Sequence, residues 1–339
     1  MKKMIRQAGP LSVSFILLLI FLGAFIACES DKPTTNRKKS KKIEIPHLSF
    51  DEDSAYYFIE KQVSFGPRVP NTSEHNKCAD WLLSCLSRYA DKTLIQKGDV
   101  LAYDGKVLKM KNIIASFNPE LKKRVLLCAH WDTRPIADQD SERKDEPIPG
   151  ANDGGSGVGV LLEVARQISR DSLKIGIDIV LFDTEDYGAP RNSPQANKQD
   201  TWCLGSQYWS KRPHVPGYSA KYGILLDMVG AKDARFAMEG NSMMYASSVM
   251  KRMWKLADQL GHGSYFSYDK VSPIVDDHLY INKIANLPCI DVIHYATYSN
   301  SGFGSFWHTH DDNMEIIDKG VLKAVGETVM AMIKTENLN

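Results

Sequence analysis

Cysteine is scarce in this 339-residue sequence, six residues in all, and none has the close spacing of a cysteine-rich metal knuckle. Cys78 and Cys85 stand seven apart in a helical pattern, about 10 Å along a helix axis and too far to bridge. Cys128, Cys203 and Cys289 read as apolar filler, although an oxidising compartment would permit one disulfide. There is no HExxH, no EF-hand loop and no G-x-S-x-G elbow, which removes helix-borne zinc proteases, calcium sensors and serine hydrolases. The glycine run from Gly154 to Gly159 lacks the preceding strand and the spacing of a dinucleotide loop. A strong charge excess is missing too: residues 43–339 carry a net of −6, and a mildly acidic fold lacks the basic face that nucleic acid needs. Neither an internal repeat nor a second linker is visible. With 43% apolar and 24% charged residues, the composition is that of a globular protein and excludes disorder and coiled coil.

What is present begins at the N-terminus. Lys2, Lys3 and Arg6 precede an apolar run over residues 11–25, which ends in Phe25-Ile26-Ala27-Cys28. A charged start, a short apolar stretch and a small residue before a cut make residues 1–27 a signal peptide. Cysteine at the cut resembles the lipobox of bacterial lipoproteins, which implies an acylated Cys28 as the mature N-terminus. The competing reading is an uncleaved signal anchor, because the run is nearly long enough to span a bilayer. Either way the chain is exported and membrane-held, facing the periplasm or the cell surface. Residues 28–47 are mostly polar and read as a flexible tether, leaving 48–339 as a single folded domain.

Within that domain, helical patterns over 53–63 and 73–89 precede short apolar runs at 124–129, 175–182, 222–226 and 287–293. Helical patterns at 157–170, 245–260 and 321–334 alternate with these runs. The expected fold class is α/β: a doubly wound, mostly parallel central sheet with helices on both faces. Ligands of such folds bind beyond the carboxyl ends of the strands.

The chemistry-bearing residues follow those strands. His130-Trp131-Asp132 follows the first run, Asp183-Thr184-Glu185-Asp186 the second, and Asp227 the third. Asp153 lies in a glycine-rich turn before a helix, and Asp276-Asp277-His278 and Trp307-His308-Thr309 come later. One such residue would be a turn or cap. So many at one sheet edge point to a metal site, since carboxylate and imidazole are zinc ligands and three of them leave a position open.

His-x-Asp at 130–132, Gly-Ala-Asn-Asp at 150–153, Glu-Asp at 185–186, Leu-Leu-Asp at 225–227 and His-Thr-x-x-Asp at 308–312 resemble the secreted zinc aminopeptidase superfamily. That resemblance implies five ligand positions, matching His130, Asp153, Asp186, Asp227 and His308, as in a two-zinc peptidase. Further motifs resemble one branch of it, the animal-type glutaminyl cyclases: Gly-Pro-Arg-Val-Pro at 66–70, Asp276-Asp277-His278, and Trp307 directly before His308. This branch implies one zinc, held by Asp153, Asp186 and His308, and a substrate pocket that includes Phe303 and Trp307. Asp186 departs from the branch, which has Glu there, and residues 188–200 form a polar insertion. Trp202 is the candidate for a second pocket tryptophan, with ordinary core packing as its alternative.

The implied activity is conversion of N-terminal glutamine of peptides and proteins to pyroglutamate, with release of ammonia. Glu185 would be the proton shuttle, its pKa raised by neighbouring carboxylates, with Asp276 and Asp227 as a relay. In the rival reading, an aminopeptidase, His130 and Asp227 hold a second zinc and Glu185 activates water.

Overall fold

The computed structural model describes residues 44–299 and 301–338. The signal peptide, Cys28 and most of the tether lie outside the described residues. Helices α1 (Glu52–Val63) and α2 (Ser73–Leu86) come first. Each begins at a side-chain cap: Asp51 accepts the N–H groups of Asp53 and Ser54, and Thr72 accepts that of His75. The strands follow in chain order as β1 (Lys92–Leu101), β2 (Val107–Phe117), β3 (Arg124–His130), β4 (Gly176–Phe182), β5 (Gly223–Asp227), β6 (Phe236–Met238), β7 (Phe266–Lys270) and β8 (Cys289–Ile293). Interspersed with them are α3 (Gly155–Ile168), α4 (Leu204–Lys211), α5 (Gly240–Leu260) and α6 (Asp277–Ile284), and α7 (Lys319–Leu338) closes the chain. Among the described residues no helix is long and apolar enough to cross a membrane.

Six strands form one sheet in the order β1-β2-β4-β3-β5-β8, and β6 and β7 make a small second sheet. The pairings β3/β4, β3/β5 and β5/β8 are parallel, as expected for an α/β sheet. The edge differs, because β1/β2 and β2/β4 are antiparallel. This edge hairpin was not anticipated: β1 is half-exposed along its length, so it lacks the continuous apolar run of the inner strands. A local signal existed in Asp104-Gly105, with Gly105 at φ +86°, a conformation that suits glycine in a tight turn.

Side chains alternate between two cores. Ile113, Val125, Leu127, Ile179 and Ile224 face the larger one, beneath α1, α2, α3, α5 and α7. Ile114, Leu126, Cys128, Val180 and Leu225 face the smaller one, which includes Trp209 of α4 and Ile281 of α6. Burial of each large aliphatic side chain contributes about 1.5–3 kcal/mol, so both faces hold the sheet rigid. Register then sets the site. His130 pairs with Phe182 and Asp227 with Ile293, so β3, β4, β5 and β8 all end at one edge. The five described cysteines are buried free thiols.

Candidate metal and catalytic site

Beyond that edge, two groups of ligand atoms form. Asp153, Asp186 and His308 bring one donor atom each within 4.8 Å of one another, and so do His130, Asp153 and Asp227. In the first group His308 Nε2 stands 3.4 Å from Asp186 Oδ1 and 3.9 Å from Asp153 Oδ2. Donors around a tetrahedral zinc with bonds of about 2.0–2.2 Å are spaced roughly 3.3–3.6 Å apart, so the His308–Asp186 pair has that spacing and the His308–Asp153 pair is slightly wider. Asp186 Oδ2 is buried with no hydrogen-bond partner, a costly arrangement that a cation would relieve. The second group is drawn tighter. His130 Nε2 lies 3.1 Å from Asp153 Oδ1 and 3.2 Å from Asp227 Oδ1, which are hydrogen-bond lengths.

The ligand loops are held from behind. His308 Nδ1 meets Asp138 Oδ1 at 2.9 Å, which turns Nε2 toward the trio. Arg134 grips Asp138 through Nε at 2.7 Å and Nη2 at 3.2 Å, and donates to the Asp186 carbonyl at 3.0 Å. Burial would raise the Asp138 carboxyl, but His308 and Arg134 outweigh it and hold it well below the usual range. Asp132 accepts the N–H groups of Glu185 and Asp186 at 3.0 and 3.2 Å. Asp312 does the same for Asn152 and Asp153 at 2.7 and 3.0 Å. The acids of the His-x-Asp and His-Thr-x-x-Asp motifs therefore shape backbone rather than join either trio. Arg68, from Gly-Pro-Arg-Val-Pro, is buried and ties down the carbonyls of Trp131, Pro149 and Gly150. Thr184 and His308 adopt φ of 58° and 57°, strain of the kind that collects at functional sites.

Glu185 faces the same space. Burial pushes its carboxyl well above the ordinary value, His130 opposes this, and Asp186, Asp276 and Asp277 add to it. The Cys203 thiol donates to Glu185 Oε1 at 3.1 Å, so Cys203 is buried as expected but is more than apolar filler. Asp276 caps α6 and brings a carboxylate oxygen within 4.8 Å of Glu185 and Cys203 ligand atoms. Asp227 is pushed up to about 7, chiefly by burial against the opposing pull of His130. Behind Asp276 stand His278 and Asp291, the latter on β8 with both carboxylate oxygens buried and Oδ2 3.7 Å from His278 Nδ1.

A cavity of about 240 Å³ opens onto these groups, lined by Asp153, Glu185, Asp186, Asp227, Asp276 and His308 on its polar side. Trp202, Phe303 and Trp307 line it as well. The imidazole of His308 lies nearly parallel to two indoles, with ring centroids 3.7 Å from Trp307 and 6.0 Å from Trp202. Phe303 packs on Trp307 at 4.8 Å. All three aromatic residues singled out in the sequence thus meet at one cavity. His130 lies behind Asp153 and Asp227 and is not among the lining residues. Asp132, Arg134, Asp138, Cys203 and Asp291 are the functional neighbours that sequence reasoning did not assign.

Comparison with known proteins gives concordant results. The profile described as peptidase family M28 matches residues 112–333. The glutaminyl-peptide cyclotransferase of Bos taurus is 25% identical over 247 residues, 66% of this chain and 65% of that enzyme's length. Among solved structures, Porphyromonas gingivalis glutaminyl cyclase is 51% identical with a TM-score of 0.80, covering 83% of this chain and 96% of that one. A Zn-dependent exopeptidase from Parabacteroides distasonis is 50% identical with a TM-score of 0.83, covering 85% and 99% of the two chains.

Proposed function

The chain belongs to peptidase family M28, and from that premise we propose that it is a glutaminyl-peptide cyclotransferase acting on N-terminal glutamine. The observation that carries this reading is the placement of Glu185, a buried acid of raised pKa, at an aromatic-walled cavity beside a ligand trio. A group of this kind is suited to accept a proton and return it near neutral pH.

In the reaction the substrate's α-amine nitrogen bonds to its own γ-carboxamide carbon, and the bond from that carbon to the amide nitrogen breaks. Asp153, Asp186 and His308 would hold one zinc, which when bound supplies Lewis-acid polarisation of the amide carbonyl. Trp307, Phe303 and Trp202 enclose the apolar glutaminyl stem and favour the folded-back conformer in which amine and carbonyl meet. Glu185 takes the proton from the attacking amine and delivers it to the departing nitrogen, which leaves as ammonia. Asp276, close to Glu185, raises its proton affinity so that it rebinds readily between the two transfers, and Asp276 and Asp227 would share protons with it as a coupled relay. No external water is needed as nucleophile.

Cys28 would carry the lipid that holds this activity at the membrane, facing the periplasm or cell surface. The test uses purified protein with a Gln-initiated and a Leu-initiated peptide, followed by mass spectrometry, ammonia release and metal analysis. The expected result is ammonia and an otherwise intact Gln peptide, an untouched Leu peptide, and about one zinc per chain. Free N-terminal amino acid with two zincs would overturn the reading in favour of an aminopeptidase using His130 and Asp227.

A further inference from the structure

Each of the two indoles beside His308 has an arginine over its ring, and the two arginines differ in character. The Arg134 guanidinium lies 4.6 Å from the Trp202 ring centroid, and that of Arg191 lies 5.3 Å from the Trp307 centroid. Arg134 is fully buried and its donors are engaged by Asp138 and by the carbonyls of Asp186 and Gly188. Arg191 is exposed and, among the described residues, has neither an ion pair nor a hydrogen bond. It belongs to the 188–200 insertion, which the catalytic argument above leaves without a role. Burial and full bonding explain Arg134 as scaffold. They do not explain an exposed guanidinium held over the Trp307 ring without an ion pair or hydrogen bond.

Arg191 also lines the cavity, where it is the one Lys or Arg among the described lining residues, which include five carboxylates: Asp153, Glu185, Asp186, Asp227 and Asp276. Of these side chains it is therefore the one suited to pair with a negatively charged substrate residue. With the glutaminyl side chain inside the cavity, the next residue of the peptide leaves toward solvent, and Arg191 is exposed while lining the same cavity. A guanidinium resting on an aromatic face keeps its peripheral N–H groups free, and their planar fork matches a carboxylate.

We propose that Arg191 selects substrates by binding a carboxylate on the residue that follows the N-terminal glutamine. The inference rests on the cyclotransferase reading and adds a specificity to it. That carboxylate comes from an acidic side chain or, in a dipeptide, from the C-terminus; C-terminally amidated tripeptides separate the two sources.

The test measures ammonia release from Gln-Glu-Ala-amide, Gln-Gln-Ala-amide and Gln-Lys-Ala-amide with the full chain and with Arg191→Ala and Arg191→Glu. For a partly exposed ion pair, kcat/KM for the Glu peptide should exceed that for its isosteric Gln partner about three- to five-fold at low salt. The preference should shrink as ionic strength rises. Arg191→Ala should remove it, and Arg191→Glu should invert it toward the Lys peptide. Equal kcat/KM for the Glu and Gln peptides in the parent would overturn the proposal. So would an equal loss for all three peptides in Arg191→Ala, which would mark a contact to the peptide backbone. Gln-Glu-amide beside free Gln-Glu tests whether a C-terminal carboxylate adds a further gain. Absence of ammonia from every peptide would instead overturn the cyclotransferase reading and the selection with it.

Discussion

Cys203 Sγ lies 3.1 Å from Glu185 Oε1, close enough for the thiol to orient the carboxylate on which the proposed proton transfer depends. The backbone reinforces this contact, with Cys203 N donating to the Glu185 carbonyl at 2.9 Å and Leu204 N to that of Thr184 at 3.1 Å. Burial pushes the Cys203 thiol well above its ordinary pKa, and the Glu185 charge adds to this, so it stays a protonated donor. Cys203→Ala should lower kcat about five-fold, the worth of roughly 1 kcal/mol for one hydrogen bond, with little change in KM. Cys203→Ser, which keeps a donor, should recover most of that loss. Steady-state kinetics at equal metal content decide it: an alanine variant with the parent's kcat would refute the orienting role.

Glu185→Gln keeps the shape of the site and removes the proposed proton acceptor. Turnover should fall by about 10²–10⁴, the usual contribution of general acid–base catalysis, while bound zinc stays at the parent level. Metal analysis and ammonia release on one sample check both halves. Retained activity with zinc in place would eliminate Glu185 as the shuttle.

Asp138 makes no contact with the proposed metal position, yet it fixes the His308 ring through Nδ1. Asp138→Asn should weaken zinc binding by about 10–100-fold, as loss of a carboxylate behind a metal-bound histidine does. Activity lost at limiting zinc should return when zinc is added. Titration against a competing chelator gives the affinity, and a value equal to the parent's would rule out this orienting role.

Glu239 supplies a prediction for acid stability. It caps α5 by accepting from Asn241 N at 2.7 Å and Ser242 N at 2.6 Å, and it meets His278 Nε2 at 3.0 Å. Burial would raise its carboxyl, but His278 and those N–H groups outweigh it and pull it from 4.5 down to about 2. A depressed carboxyl contributes stability above its unfolded value of 4.5, and that contribution disappears as pH falls toward about 2. Glu239→Gln should therefore be less stable than the parent at neutral pH and lose less between pH 5 and pH 2. Urea unfolding across that range tests this, and parallel curves for the two proteins would contradict it.

The inner strands could be read in the sequence because each is a mostly apolar run, as in residues 125–129 of β3, where every residue is buried. The candidate ligands could be read for a related reason: polar residues directly after a buried strand have one sheet edge to occupy. Asp138 was illegible, since it lies in an irregular polar segment and its partner His308 is 170 positions away. Cys203 was half legible, because burial follows from its chemistry but its contact with Glu185 depends on a loop without periodicity. Asp291 left a usable trace as a charge inside the apolar run of β8, and such a residue asks for a partner or a proton. The β1/β2 edge was missed because β1 is half-exposed, and because β2, though mostly buried, has Lys109, Lys111 and Asn112 interrupting its apolar residues.

The long separation between Asp138 and His308 also bears on how the protein reaches its working state. The contact spans most of the fold, so the trio is complete only when the segment before α7 is packed against the loops after β3 and β4. A chain truncated before His308 would lack the site altogether. A bound ion would consequently give little guidance to early collapse and would act afterwards, as a brake on unfolding whose strength follows the free metal concentration.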